Sequence, residues 1–389
     1  MYKKGIGMRF RNVYSSQLGR VNLSRRRYCE LMAGAASAAL LTACGNSGTN
    51  GAAATNSDGS KQIAWGQPAA ESPNIKWAQG LSGNILVTLA KKHGYFEDNG
   101  LSVEEIPLDP GGLQGVVQGT VDIASNWGTG TPLQMISNGD DMAIIGGHMM
   151  EGGMPIIGKT GCEWNGVQSF KGKTVAGEPY EYFTGKPLLE LGIDPVKDVN
   201  YLKLENEIDG IAAVLNDEAD YAILGTNCCY QAKNTDGIQI LCWSDDCTPE
   251  YSCCRMVARK SWVEDNPNTV VLLNEALLRA QLYFEEHRDE CIQTQADFLK
   301  TNYEYVEAYM GEADHYVINV EPLYNTVKDQ WAFQKKMSLI DPNVDDAILE
   351  NAIYKDLYKK SLDFCVENYY NDGPEFWDKQ VDLYKRQTA

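Results

Sequence analysis

A short apolar run near the start of the chain, Leu31 to Ala43, follows a stretch rich in arginine and ends at Cys44. Such a run falls short of the ~20 residues that cross a hydrocarbon core of ~30 Å, and it is built from Ala more than Leu. Basic residues, a short apolar core and small residues together make an export signal, not a helix of the folded protein. The segment after Cys44, GNSGTNGAAATNSDGS, has almost no large apolar side chain. It cannot offset the entropy of ordering itself and reads as a flexible tether. Only the chain from about Lys61 onward is left to build a core. That length suits two lobes, because single cores stop growing near ~250–300 residues.

Two motifs sharpen the leader. SRRRYCE, Ser24 to Glu30, resembles a twin-arginine export signal, with Tyr28 where that pattern favours Phe, and LTACG, Leu41 to Gly45, resembles a bacterial lipobox. The resemblance implies cleavage before Cys44 and a lipid on its sulfur, which places the mature protein outside the cytoplasm and ties it to the membrane by that lipid alone. Two acyl chains hold where one binds marginally. The net charge of −19 becomes more negative still once the basic leader is removed. Such a surface repels phosphate backbones and excludes nucleic acid as a partner. Of eleven cysteines, Cys29 leaves with the signal and Cys44 is lipidated, so an odd number stays in the folded part. A twin-arginine substrate folds in the reducing cytoplasm, so no disulfide framework is assumed.

The folded part has an α/β rhythm. NIKWAQG reads as a strand, LSGNILVTLAKKHGYF as a helix stopped at Gly94, LSVEEIPL as a strand, and VDIASNW as another after a Gly-rich turn and a short helix. A second unit repeats it through GKTVAGE, GKPLLELGI, VNYLKLE, GIAAVLND and DYAILGT. From Asn266 the pattern turns to long amphipathic helices, whose aromatic residues, such as Tyr305, Trp331 and Trp377, read as packing against the lobes.

HGYFEDNGLSVEEIPL and QGTVDIASNWGTGTPLQMISNG, with SFKGKTVAGEPY, LGIDPVKDV and VARKSWVEDNPNTVVLLNEAL, resemble the periplasmic nitrate, sulfonate, taurine and thiamine-precursor binding proteins. The resemblance implies a type II periplasmic-binding-protein fold, two α/β lobes around a hinged ligand cleft with a helical C-terminal tail. It also implies a small organic anion, zwitterion or heterocycle as solute, ABC permease subunits as partners, a monomer, no cofactor and no catalysis. The expected domains are 1–43 (signal), 44–68 (lipidated tether), 69–155 with 255–389 (lobe 1) and 156–254 (lobe 2).

In an open α/β sheet, ligands bind beyond the carboxyl ends of the strands, where helix N-termini offer unpaired N–H groups. Five loops meet that rule. WAQGLSGN supplies Trp77, Gln79 and Ser82, with helix capping as the competing role for Ser82 and Asn84. SNWGTGT supplies Asn126, Trp127 and Thr129. GGHMMEGG supplies His148, GEPYEYFTG supplies Glu178 and Tyr180, and GTNCC supplies Thr226 and Asn227. YSCCR is expected to line the cleft near the second hinge, with Arg255 able to hold an anion in a bidentate way or to form a surface salt bridge.

The cysteines Cys228, Cys229, Cys242, Cys247, Cys253 and Cys254 cluster without any C-x-x-C spacing, so a zinc ribbon is not expected. Two rivals to a binding protein stand beside it. One is a pyrimidine-synthase-like metalloenzyme using this cluster with His148 or His93, and the other is a lipoprotein sensor or assembly partner of the same fold.

Overall fold

The computed structural model describes residues 67–80 and 82–389. The leader, Cys44 and most of the tether lie outside them. The strands are β1 (Asn74–Gln79), β2 (Ser102–Pro107), β3 (Ile123–Ala124), β4 (Ala143–Gly152), β5 (Pro155–Lys159), β6 (Thr174–Ala176), β7 (Asn200–Leu202), β8 (Tyr221–Ile223), β9 (Ile238–Trp243), β10 (Cys254–Ala258) and β11 (Tyr316–Ile318).

They form two sheets, ordered β11-β4-β10-β3-β1-β2 and β7-β6-β8-β5-β9. In the first, β1 pairs in parallel with β2 and β3, while β10 runs antiparallel between β3 and β4. In the second, β6 pairs in parallel with β7 and β8, while β5 runs antiparallel between β8 and β9. Both sheets therefore share a plan of three parallel strands, then one reversed strand, then one more, and the first sheet adds β11 beyond β4. The chain supplies each reversed strand immediately after it changes sheet. It crosses between Gly152 and Pro155 to give β5, and returns between Trp243 and Cys254 to give β10. Two backbone passages thus join two like lobes.

Local chemistry explains the elements. Helix Ile85–Lys92 starts where the Asn84 side chain accepts the Leu86 N–H at 3.0 Å, and Gly94 adopts a φ of 75° just beyond its end. In β1, Ile75 and Trp77 turn to the interior. The core of lobe 1 is built on helix Pro267–Glu286, buried nearly all round and packed between helices Ile85–Lys92 and Lys355–Tyr369.

The segment AIIGGHMMEG, read from the sequence as a loop from Gly146 on, is instead the ten-residue strand β4, buried along its whole length. Its glycines have a packing reason: a Cβ at Gly146 would lie 2.6 Å from the Met256 methyl, and one at Gly147 would lie 2.2 Å from an Arg255 guanidinium nitrogen.

The tail helices also hold lobe 2. The Tyr305 hydroxyl donates to the Asn227 carbonyl at 2.9 Å, and Phe333 meets Tyr182 edge-on at 5.4 Å between centroids. No helix among the described residues is long and apolar enough to cross a membrane.

Candidate ligand cleft between the two sheets

The carboxyl ends of β1 and β3 in one lobe match those of β6 and β8 in the other, and each strand leads into a helical turn. On the lobe 1 side these ends are zipped together. Trp77 is buried, and its indole N–H donates to Ser125 Oγ at 3.2 Å; Asn84 Nδ2 donates to the same oxygen at 3.0 Å. Asn126 Nδ2 donates to the Gly83 carbonyl and lies 3.4 Å from Ser82 Oγ. Gln79 ends β1, and its carbonyl accepts the Leu108 N–H at 3.2 Å. Trp127 is half-buried and lies over Gly112, where a Cβ would come within 2.0 Å of the indole ring. Of the residues singled out from the sequence, Trp77, Ser82 and Asn126 therefore share one network at the carboxyl ends of β1 and β3, while Gln79 and Trp127 flank it.

Thr129 is fully buried. Its N–H donates to the Cys253 carbonyl at 2.8 Å and its hydroxyl lies 3.0 Å from Ser252 Oγ, so it fastens the returning crossing to lobe 1. His148 is buried on β4 beside the Ser125 backbone. Burial, and after it the charge of Arg255, push its imidazole down to about 3, which keeps the ring neutral at physiological pH.

Arg255 departs from the expectation of a cleft-lining or surface guanidinium. Only 1% of it is exposed, and its two terminal nitrogens donate to the carbonyls of Glu321 and Met149 inside lobe 1. Position 255 lies on β10, between β3 and β4, so its side chain is covered by the tail segment around Glu321. Burial lowers its pKa to about 10 against the opposing charge of Glu321, leaving it a cation held in the core.

The lobe 2 side is acidic. Glu178 pairs with Lys203 at 2.8 Å, and Tyr180 is 41% exposed. Thr226 Oγ1 donates to the Gly152 carbonyl, tying the β8 loop to the first crossing, while Asn227 is exposed.

Two further carboxylates, missed by the sequence reading, belong to this face. Glu181 stands at the N-cap position of helix Tyr182–Glu190 without using its side chain as a cap. Its side chain reaches solvent, yet the protein around it strips enough water, with Glu207 and Glu178 adding repulsion, to raise the carboxyl to about 7. Glu181 also acts electrostatically on the Cys253 thiol, which places it toward the returning crossing. Glu207 follows β7 and accepts the Gly225 N–H of the β8 loop; a Cβ at Gly225 would lie 2.0 Å from its carboxylate. The signal for both was positional: each lies just after a parallel strand of the second unit, on the side where the first unit carries Ser82 and Asn126.

Among the described residues, the one grouping of three potential metal-ligating side chains is Asp245, Asp246 and His315, and no cysteine belongs to it. Neither His148 nor His93 belongs to it. His93 instead packs on the Tyr283 ring at 4.1 Å between centroids.

Comparison with known structures gives the same architecture. The periplasmic aliphatic sulphonate binding protein SsuA from Escherichia coli superposes with a TM-score of 0.59 at 18% identity, over 73% of this chain and 92% of its own. The periplasmic nitrate-binding protein NrtA from Synechocystis PCC 6803 gives 0.59 at 15% identity, over 78% and 90%. The alkanesulfonate-binding protein SsuA from Xanthomonas axonopodis pv. citri, bound to MOPS, gives 0.57 at 18%, over 74% and 99%. These likenesses establish the two-lobed periplasmic-binding-protein fold. No curated protein matches the chain. A family model does, that of the NMT1/THI5-like proteins, across residues 84–291, more than half of the 389 in the sequence. That span takes in β2 to β10, strands of both sheets, and the chain belongs to the NMT1/THI5-like family.

Proposed function

We propose that the protein is the extracytoplasmic solute-binding lipoprotein of an ABC importer, anchored through Cys44 after twin-arginine export, and that its cleft takes a small solute carrying a protonated nitrogen. The observation that carries the solute class is the charge of the cleft face. Glu181 and Glu207 lie there with raised carboxyls, Glu178 is neutralised by Lys203, and the candidate anion holder Arg255 is committed to backbone carbonyls in the core. A simple anion would meet carboxylates on entry, whereas a cation 4 Å from one gains about 4 kcal/mol at an effective dielectric near 20. Of the anion, zwitterion and heterocycle classes left open by the sequence, a zwitterion or a protonated heterocycle therefore fits, its cationic end toward lobe 2. The helix N-termini of lobe 1, at Ile85 and Gly130, suit the anionic end of a zwitterion.

The test is a thermal-shift screen of ligand-stripped protein, with mass spectrometry of whatever co-purifies with the native protein. Amine-bearing solutes should raise the melting temperature, and nitrate or plain alkanesulfonates should leave it unchanged. The reverse ranking overturns the solute class. A mature N-terminus without lipid at Cys44 overturns the anchoring.

A further inference from the structure

We propose that Cys242 and Cys247 are the site of an intramolecular disulfide, formed by thiol–disulfide exchange once the folded protein meets an oxidising compartment. All nine described cysteines are free, and they differ sharply in what oxidation could do to them. Cys242, on β9, and Cys247, which ends the short helix Ser244–Cys247, hold their sulfurs 3.7 Å apart across a four-residue intervening stretch, and neither is fully buried. Both also line an open concavity with Trp164, Gln168 and Leu191, through which a small disulfide reaches them from solvent.

The competing pair does not meet these conditions. The Cys253 and Cys254 sulfurs are 3.5 Å apart, but the two residues are adjacent at the start of β10, where Cys254 is buried and laddered to Met149. Consecutive Cα atoms lie about 3.8 Å apart, short of the roughly 4.4–6.8 Å that a disulfide spans, so bridging these two would distort the backbone where the β10 ladder begins. Cys228, Cys229, Cys291 and Cys365 are buried, and the Cys229 and Cys365 thiols donate to the carbonyls of Gly153 and Glu275.

The reaction balances with a low-molecular-weight disulfide such as oxidised glutathione as oxidant. The Cys247 thiolate attacks one glutathione sulfur, forming a mixed disulfide and releasing one glutathione thiolate. Cys242 then attacks the Cys247 sulfur and expels the second glutathione. Two protein thiols are oxidised, one disulfide is reduced, and the two thiol protons pass to the two glutathiones. The hydrogen bond with Cys247, ahead of burial, pushes the Cys242 thiol well above its usual range, which disfavours Cys242 as the first nucleophile.

The bond would pin the entry of the returning crossing to β9. Helix Ser244–Cys247 is already the anchor there, since the Ser244 N–H donates to the Met154 carbonyl at 2.9 Å and Asp245 pairs with His315 of the tail at 2.7 Å. The experiment takes the full chain, purified in detergent without oxygen, exposes it to oxidised glutathione, blocks remaining thiols with a maleimide and maps peptides by mass spectrometry. The expected result is a loss of two reactive thiols and a single linked pair, Cys242 with Cys247, absent in Cys242→Ser, whose Cys247 should instead be trapped as the glutathione adduct. Full maleimide labelling of both cysteines after oxidation, or a linked peptide joining Cys253 to Cys254, overturns the proposal.

Discussion

The two faces of the cleft are built on one strand plan but spend their polar groups differently. On lobe 1, Ser125, Asn84, Asn126 and Trp77 are bonded to one another, so the β1 and β3 loops form a neutral floor whose polar groups satisfy each other. On lobe 2, Glu181 and Glu207 keep carboxyls that no cation in the described structure neutralises, and lost hydration, ahead of repulsion from Glu207 and Glu178, raises the Glu181 carboxyl to about 7. Under the proposed function the contrast becomes a division of labour: a self-satisfied surface gives shape, and an unsatisfied one gives electrostatic selection. Buried charge tells the same story in reverse. Lobe 1 hides Arg255 and Glu321 in its core, where they serve the fold.

The largest effect that would break this division is on Arg255. Arg255→Ala should cost about 3–5 kcal/mol of stability by denaturant titration, because it empties a buried site and strands two buried carbonyls. Affinity of the fraction that folds should change little. A stable variant that has lost its ligand would put Arg255 back in the cleft.

Next comes Glu321, whose carboxyl is raised by burial from its ordinary 4.5 to about 8. The folded state keeps a proton that the unfolded chain gives up above about 4.5, so the group costs stability progressively as pH rises from there to about 8. Glu275, raised to about 8 by burial as well, adds to the same slope. Melting temperatures should therefore fall across that window, and Glu321→Gln should flatten the fall by several degrees. An unchanged slope in the variant removes Glu321 from the account.

A smaller effect, on binding alone, is expected at Glu181. Ionised Glu181 favours a cationic solute, while in the free protein the carboxyl holds a proton below about 7. Binding then expels that proton, and affinity should rise as pH increases through neutrality and level off above it. Glu181→Gln should weaken binding by about tenfold, about 1.4 kcal/mol, and erase the pH dependence with no loss of stability. Titration calorimetry at several pH values reads both. A variant that binds with the same pH profile would remove lobe 2 as the selecting face.

Much of this architecture is legible in the chain because periodicity and punctuation suffice. NIKWAQG, LSVEEIPL, GKTVAGE, VNYLKLE and DYAILGT each contain the strand expected there, and helix Asp209–Leu215 lies in GIAAVLND and the residue before it. β4 was not legible as a strand. Two glycines, a histidine and a glutamate read as loop chemistry, and only the positions of Met256 and Arg255 on the neighbouring strand show that the glycines make room for them. Arg255 misled for the same reason: a single Arg beside a hinge has no sequence mark distinguishing a ligand clamp from a core cation. Glu181 and Glu207 escaped because burial, the main cause of both raised carboxyls, is a property of the folded lobe and not of the sequence. They are 26 positions apart in sequence, and the repulsion Glu207 adds at Glu181 depends on β6 and β7 lying side by side.

The smallest effect bears on whether the lobe 1 floor is truly preset. Asn126 is its tie, donating to the Gly83 carbonyl and approaching Ser82, and Gly80 leaves no room for a different packing, since a Cβ there would lie 2.8 Å from Asn126 Cβ. Asn126→Ala removes the tie without touching a charge, so about 1 kcal/mol of stability should be lost, the usual net worth of one such hydrogen bond. If the floor is set in advance, the β1 loop becomes free in the unliganded variant and solute binding must order it again. Affinity should then fall by a few fold with a more unfavourable binding entropy, and amide exchange around Ser82–Asn84 should quicken only in the absence of solute. Equal exchange in variant and parent would mean that the loop is held by other contacts, such as that of Gln295 Nε2 with the Ser82 carbonyl at 2.5 Å, and the division between a shaped lobe and a selecting lobe would have to be drawn elsewhere.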